Sequence, residues 1–308
     1  MQTHVPWPSR RNAPRCLAAA SIAFLVRAAP AAPPTPAPQP AAVIERVEVE
    51  DADGRRTLEG TVVVEALDGG LLIERLDQRL ELLRPDVIRG RAAADAVATD
   101  AARDVGRRIL GELPPGFDLL LTRHYCVCHD TSPAYAKWCA ALFERLHDAF
   151  CNAWGHAGID TVEPAHPLVV VIFADRRRYE EFAARDLGAA ADRVAGYYNL
   201  LTNRVTTYDL TGTAAAARPA GQAASRAGLD ILASPQAAGL VATLVHEATH
   251  QMAFNAGLHR RLAPVPVWVS EGVATYFETP DLSSQRGWKG IGGVNGPRLE
   301  RFLGRPEP

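Results

Sequence analysis

The chain has 308 residues, of which 47% are hydrophobic and 22% are charged, and its formal net charge is −2. This composition is typical of a folded globular protein, so general disorder is excluded, and the length suffices for one large domain or two modest ones. A chain without excess positive charge is also a poor candidate for nucleic-acid binding, which normally uses a basic surface.

The amino-terminal segment has the three parts of a secretory signal peptide. An apolar run over residues 16–26 follows basic residues and precedes small ones: Arg10, Arg11 and Arg15 come before it, and Ala29, Pro30 and Ala31 after it. The run is shorter than the roughly 20 residues that a membrane-spanning helix needs. We therefore expect residues 1–31 to be a signal peptide, the protein to be exported, and the mature chain to have no membrane span.

Residues 32–42 are rich in proline and alanine, which favours an extended linker of polyproline character. Removal of residues 1–31 would take away four arginines and no acidic residue, so the formal charge would fall from −2 to −6. The mature protein is therefore expected to be mildly acidic, and we expect no nucleic-acid partner.

Residues 43–90 are predicted to form a small β domain. Apolar and polar side chains alternate over residues 43–50, 56–65, 71–76 and 80–83, and glycine-containing turns at Asp53-Gly54 and Asp68-Gly69-Gly70 separate the strands. Nothing in this β meander carries chemistry. It is either a module that binds a partner or a packing unit, and packing is the favoured interpretation because function has to be argued from a site.

Residues 91–308 are predicted to form a second, larger domain of α+β class. The expected elements are a helix over residues 91–113, a strand over 119–127, a helix over 135–154, a buried strand over 168–173, a helix over 176–187 and two strands within 196–209. Residues 211–233 consist mainly of alanine, glycine, arginine and serine, which predicts a surface loop.

The predicted mature chain has an even number of cysteines: Cys126, Cys128, Cys139 and Cys151. In an exported protein this permits one or two disulfides. The pattern Cys-x-Cys-His at residues 126–129, with His124 nearby, suggests a second metal site. Its spacing matches no familiar structural zinc motif, so a disulfide or packed thiols are favoured.

The pattern H-E-x-x-H at His246, Glu247 and His250 carries the strongest chemical signal. Residues four apart share one face of a helix, so the two imidazoles can bind one zinc ion with Glu247 beside them as general base. Local signals favour a helix here, namely Ser234 as N-cap, Pro235 in the first turn and Gly257 at the exit. A catalytic zinc site of this kind needs a third protein ligand.

Two continuations of the motif can supply that ligand. The metzincin pattern requires glycine at 253 and histidine at 256, but the chain has Ala253 and Ala256, which excludes that class. Residues 268–276 instead resemble the W-x-x-E-G-x-A-x-Y block of the gluzincin zinc metallopeptidases. The resemblance implies that Glu271 is the third metal ligand.

Residues 168–302 as a whole are similar to the bacterial DUF1570 group, which in turn resembles gluzincin peptidases. The resemblance implies a gluzincin-like domain with a mixed sheet, one active-site helix and one Zn²⁺ ion, in a bacterial protein exported to the periplasm, the cell envelope or the medium. It also implies that a strand within residues 196–209 pairs with the backbone of a peptide or protein substrate.

Several roles in the site stay open at the level of sequence. Tyr197, Tyr198 and Tyr276 are candidates for substrate binding or for stabilising an oxyanion. Glu278 is the reserve metal ligand, since it lies seven residues after Glu271 on the same helical face, and His259 is a weaker reserve. No acid stands four residues after Glu271, so the carboxylate that should orient a ligand is not assigned.

The favoured function is an exported zinc metallopeptidase whose Glu247 deprotonates the attacking water. Two alternatives use the same residues. One is a catalytically silent envelope binding protein on a gluzincin scaffold, and the other is a metal-dependent hydrolase of non-peptide amides. Substrate, cleavage specificity and oligomeric state have no signal in the sequence.

Overall fold

The structure is a computed structural model that describes residues 43–52, 54–94, 102–164, 166–211, 238–281 and 288–304. The predicted signal peptide and the predicted linker fall outside these residues. So do the helix-capping residues Ser234 and Pro235 and nearly all of the predicted loop over residues 211–233.

The first sheet is antiparallel throughout and has the strand order β4-β3-β2-β1-β5. Alternate side chains of its strands form a small core that includes Val47, Val49, Leu58, Leu71 and Ile73. Its strands are β1 (Ile44–Asp51), β2 (Gly54–Glu65), β3 (Leu71–Arg75), β4 (Leu80–Leu83) and β5 (Ile88–Ala93). The four strands predicted from the alternation are confirmed, with Gly54 and Gly69 at positive φ in the turns.

The fifth strand corrects the predicted helix over residues 91–113. Residues 91–93 belong to β5, and the helix α1 spans only Ala102–Leu110. Arg91 lies opposite Val47 on β1, and its guanidinium donates to Glu45 and Glu65. A cross-strand contact of this kind outweighs the helix propensity of an alanine-rich segment and is invisible to a local pattern.

The second sheet is mixed and has the strand order β6-β7-β8-β10-β9. The central strands β7, β8 and β10 are parallel, and the edge strands β6 and β9 are antiparallel to their neighbours. Its strands are β6 (Asp118–Leu121), β7 (Tyr125–His129), β8 (Leu168–Phe173), β9 (Gly196–Asn199) and β10 (Arg204–Tyr208). All six residues of β8 are buried, as expected for a central strand that is covered on both faces.

One predicted strand, over residues 119–127, is in fact the hairpin of β6 and β7. The amide of Thr122 donates to the carbonyl of Tyr125 at 2.9 Å and closes the turn. The carboxylate of Glu144 accepts from the Thr122 hydroxyl and from the His124 amide. The contact that fixes this turn therefore comes from a distant helix.

In the described part of the chain, the helices with assigned bounds after α1 are α2 (Pro133–His156), α3 (Arg176–Leu187), α4 (Ala238–Asn255), α5 (Val267–Phe277) and α6 (Gly296–Leu303). Short 3₁₀ turns occupy Pro85–Val87 and Gly188–Arg193. Helix α4 packs against β9, β10, α2 and α5 and ends before Gly257, which has φ +81° as predicted for the exit. Within the described ranges, no helix has the length and apolar character needed to cross a bilayer.

Buried hydrogen bonds join the two sheets, and residues 42–308 form one compact unit. The turn between β3 and β4 contacts the starts of β8 and β10 in the second sheet. The Gln78 side chain donates to the carbonyl of Pro167 and accepts from the side chain of Asn203, each at 2.8 Å. Arg204 and Asp77 form a buried ion pair at 3.2 Å. These contacts support a packing role for the β meander, while the domain boundary near residue 90 stays a prediction.

Candidate metal centre

Two histidines on α4 form the base of the site. His246 and His250 lie one turn apart, and their Nε2 atoms are 3.2 Å apart. Their rings are almost perpendicular, with an interplanar angle of 85°. Nitrogen ligands at about 2.0–2.1 Å from a tetrahedral zinc ion lie roughly 3.4 Å from each other. The spacing of the two imidazoles therefore fits a shared cation.

Helix α5 brings a carboxylate to the same point. One oxygen of Glu271 is 3.2 Å from the Nε2 atom of His246, and the other is 3.4 Å from the Nε2 atom of His250. A potential ligand atom from each of the three residues lies within 4.8 Å of the others. The three side chains singled out as ligands in the sequence thus converge, and their donor set of two imidazoles and one carboxylate suits zinc.

Glu278 occupies the other side of the His246 ring. Its Oε2 atom is 2.8 Å from the Nδ1 atom of His246, and its side chain is fully buried. Its Oε1 atom accepts from Asn295 at 2.8 Å and pairs with Arg298 at 2.7 Å. Nη2 of Arg298 lies 3.4 Å from the same Nδ1 atom. A buried carboxylate in this position favours the tautomer of His246 with its proton on Nδ1, which leaves the lone pair of Nε2 free for a metal.

Replacing Glu278 by glutamine is expected to weaken zinc affinity by roughly 10–100-fold, the usual effect of losing such an orienting carboxylate. The amide has only one acceptor oxygen, so its NH₂ group must face either His246 or the donors Asn295 and Arg298. Competition with a zinc chelator of known affinity measures the change. Glu300→Gln, an exposed change on α6, is the matched control, and equal affinities in the two variants would contradict the orienting role.

The second imidazole, that of His250, has a longer hydrogen-bond contact on its Nδ1 side than His246 has. The hydroxyl of Ser270 lies 3.3 Å from the Nδ1 atom of His250. Burial, followed by the charge of His246, lowers the pKa of His250 to about 4. Burial also acts to lower the pKa of His246, but the hydrogen bond to Glu278 and the nearby carboxylates outweigh it and raise that pKa. His250 is therefore neutral at pH 7, the form that binds a metal.

Glu247 lies beside this cluster and contacts the sheet. Its Oε2 atom accepts from the backbone amide of Tyr198 on β9 at 2.9 Å. Burial raises the pKa of Glu247 to about 7, although the charge of His246 and the hydrogen bond from Tyr198 oppose the shift. A carboxylate with a pKa near neutrality is well suited to exchange protons with a reacting group.

The three tyrosines named from the sequence have different surroundings. The hydroxyl of Tyr197 donates to Asp186, and that of Tyr198 donates to Asn203, each at 2.7 Å. Tyr276 is half exposed and lines an apolar cavity of about 400 Å³ between α2 and α5. It stands five residues after Glu271, which places it on another side of the helix. Their roles toward a substrate stay predictions.

Two reserve ligands were also named from the sequence, and neither belongs to the three-residue cluster. Glu278 contacts the opposite nitrogen of His246, as described above, which is the position from which a carboxylate would orient a metal-binding imidazole. The Nδ1 atom of His259 lies 3.0 Å from the carbonyl of Leu258, and its ring packs on Phe254. Sequence reasoning missed Asn295 and Arg298, because α6 follows a chain segment with no motif that relates its residues to His246.

The match to a family model covers this part of the chain. Residues 240–305 match DUF1570, described as a protein of unknown function. The DUF1570 match spans 66 of the 308 residues and covers α4 from residue 240 onward together with all of α5 and α6. No curated protein and no solved structure matches the chain.

Proposed function

We propose that this protein is an exported zinc metallopeptidase. The convergence of His246, His250 and Glu271, with Glu247 at their side, is the observation that carries the proposal. Such a constellation is the ligand set and general base of zinc peptidases of the gluzincin type, which residues 268–276 resemble. The DUF1570 match leaves activity and substrate open, so the argument rests on the chemistry of these side chains.

Each residue has a defined role in this proposal. A zinc ion, when bound, supplies a Lewis acid that activates water and polarises the peptide carbonyl. His246, His250 and Glu271 hold the ion, and Glu278 orients His246. Glu247 accepts a proton from the attacking water and then delivers it to the leaving amine as the C–N bond breaks.

The edge strand β9 is the proposed binding surface for the peptide backbone. It pairs with β10 on one side, and its Tyr198 amide bonds directly to Glu247. An extended peptide that added to this edge would lie alongside the general base. The ion pair between Arg204 and Asp77 and the bonds around Gln78 fix the adjoining β9–β10 segment against the first sheet. The surface is therefore held rigidly, which favours precise positioning of a scissile bond.

Purified protein incubated with a peptide library tests the proposal. The wild type is expected to contain zinc and to cleave library peptides, and a chelator is expected to stop cleavage until zinc is restored. Zinc without cleavage above that of a Glu247→Gln variant would overturn the peptidase function and indicate a silent binding protein on the same scaffold. Absence of zinc would overturn the metal assignment itself.

A further inference from the structure

A second pair of buried histidines lies away from α4. His124 immediately precedes β7, and His147 lies in the middle of α2. Their rings are stacked, with centroids 3.7 Å apart and an interplanar angle of 11°. Only 7% of His124 and 4% of His147 is exposed. Two imidazoles are thus held together in the protein interior, where polar atoms normally find partners.

Within the described residues, three of the four ring nitrogens in this pair make no hydrogen bond of acceptable geometry: Nε2 of His124 and both Nδ1 and Nε2 of His147. Leaving buried polar atoms unpaired is unfavourable, so such a group calls for a ligand or a function. The carboxylate of Glu163 faces both Nε2 atoms, with one oxygen 3.0 Å from Nε2 of His124 and the other 4.0 Å from Nε2 of His147. An ion between these atoms would satisfy an otherwise unpaired nitrogen on each ring.

The fourth nitrogen is already fixed in the manner of a metal ligand. Nδ1 of His124 lies 2.6 Å from a carboxylate oxygen of Glu144. That carboxylate is itself held by the hydroxyl of Thr122 and by the His124 amide. A proton retained on Nδ1 leaves the lone pair of Nε2 available, just as Glu278 does for His246.

The charges around the pair also favour a cation. Glu144 contacts His124, Asp148 lies 3.8 Å from Nδ1 of His147, and Glu163 lies near both rings. Three carboxylates gathered around two imidazoles form a surrounding that favours a divalent cation.

We propose that His124, His147 and Glu163 bind a second divalent transition-metal ion, such as Zn²⁺, at a site that shares no residue with the His246 centre. Potential ligand atoms of the three residues lie within 4.8 Å of one another. In the described part of the chain, these and the His246 cluster are the two groups of at least three such residues with this spacing. Imidazole nitrogen and carboxylate oxygen are ligands that zinc accepts.

Binding at this site requires a small rearrangement. The lone pairs of two stacked rings lie in nearly parallel planes that do not meet at one point, so at least one ring must tilt for both nitrogens to reach one ion. Glu163 lies in the segment between α2 and β8, and 63% of its side chain is exposed. Its carboxylate can therefore change position when a histidine ring tilts. The two ring positions are set by α2 and β7, which pack against each other.

The proposed ion has a structural consequence for the first site. The segment that carries Glu163 also bonds to the exit of the ligand helix, where the Val162 amide donates to the carbonyl of Ala256 at 3.0 Å. An ion that ties Glu163 to α2 and β7 would fix this segment and support the end of α4. We therefore assign the second ion a stabilising role, with no part in the reaction.

Zinc titration followed by native mass spectrometry tests the proposal on the full chain. The wild type is expected to bind two ions, and Glu163→Gln and His147→Ala are expected to bind one. A variant that lacks the first site, His246→Ala with His250→Ala, is expected to retain one ion. If the His246 centre binds no zinc, the second site can still be detected as one bound ion. If the second site binds no zinc, the His246 centre can likewise still be detected.

Matched control variants distinguish specific binding at the proposed site from adventitious zinc binding. Asp160→Asn removes an exposed acid from the same segment as Glu163, and His156→Ala removes an exposed imidazole from the same helix as His147. Both controls are expected to keep two ions. A second ion that persists in Glu163→Gln and His147→Ala, or that the wild type never binds, would overturn the proposal.

Thermal unfolding covers the case in which His147→Ala fails to fold. In the variant without the first site, added zinc is expected to raise the Tm by mass action on the folded state. The added change Glu163→Gln should abolish this rise, whereas Asp160→Asn should preserve it. An equal rise in both variants would contradict a site built on Glu163.

Discussion

Replacing Glu247 by glutamine is expected to lower peptide hydrolysis by roughly two to four orders of magnitude, the usual contribution of general acid-base catalysis. Glutamine keeps the size of the side chain, and its carbonyl oxygen can still accept from the Tyr198 amide, the bond seen at 2.9 Å. Its amide cannot take up the proton of the attacking water. The variant should therefore fold and bind zinc like the wild type while losing turnover.

The measurements are kcat/KM for a peptide identified in the library and zinc content of the same preparation. Glu181→Gln on α3 is the matched control, since that side chain is 63% exposed and bonds only to Arg177 among the side chains described. If Glu247→Gln hydrolysed the peptide normally at full zinc content, a group other than Glu247 would have to be the general base. Joint loss of zinc and hydrolysis would show instead that Glu247 maintains the metal site.

The sequence predicts most of this candidate centre because its parts obey short-range rules. The spacing of His246 and His250 follows from the period of one helix, and Glu271 lies in a block that resembles a known motif. The orienting role of Glu278 depends on how α5 crosses α4, and that crossing is set by packing. The contacts of Asn295 and Arg298 require a third helix, which no local pattern can place.

The same difference between local patterns and long-range packing explains which strands of the two sheets the sequence predicts correctly. Regular alternation and glycine turns predict β1 to β4, whereas β5 depends on pairing with β1, whose residues lie 39 to 48 positions earlier in the chain. The hairpin of β6 and β7 depends on Glu144 from α2. Local sequence patterns therefore do not predict the pairings between segments that are far apart in this chain.

The cysteines agree with packed thiols, one of the two interpretations that the sequence favoured. The sequence favoured a disulfide or packed thiols for Cys126 and Cys128, and both are free, buried thiols, as is Cys139, while Cys151 is free and partly exposed. The second metal site proposed for that region uses His124 and its partner His147, which lies on α2. Only the packing of α2 against β7 reveals the pair, because nothing in the spacing of 23 residues suggests contact.

Truncation of Phe277 to alanine is expected to destabilise the protein by about 3–5 kcal/mol, the typical cost of removing a buried phenylalanine side chain. Phe277 is fully buried at the end of α5, and its ring packs against Phe150 and Trp154 of α2 at centroid distances of 5.2 and 6.4 Å. Urea unfolding of the metal-free protein measures the loss. Phe302→Ala on α6, where the side chain is 67% exposed, should change stability by less than about 0.5 kcal/mol.

The same substitution connects the core to the metal centre. Phe277 directly precedes Glu278, so the aromatic contacts with α2 fix the end of α5 from which that carboxylate reaches His246. Under conditions where both proteins are folded, Phe277→Ala should therefore bind zinc more weakly than the wild type, although it leaves every ligand in place. Phe277→Leu, which fills most of the cavity, should recover both stability and affinity. Unchanged affinity in a destabilised Phe277→Ala protein would mean that Asn295 and Arg298 alone suffice to position Glu278.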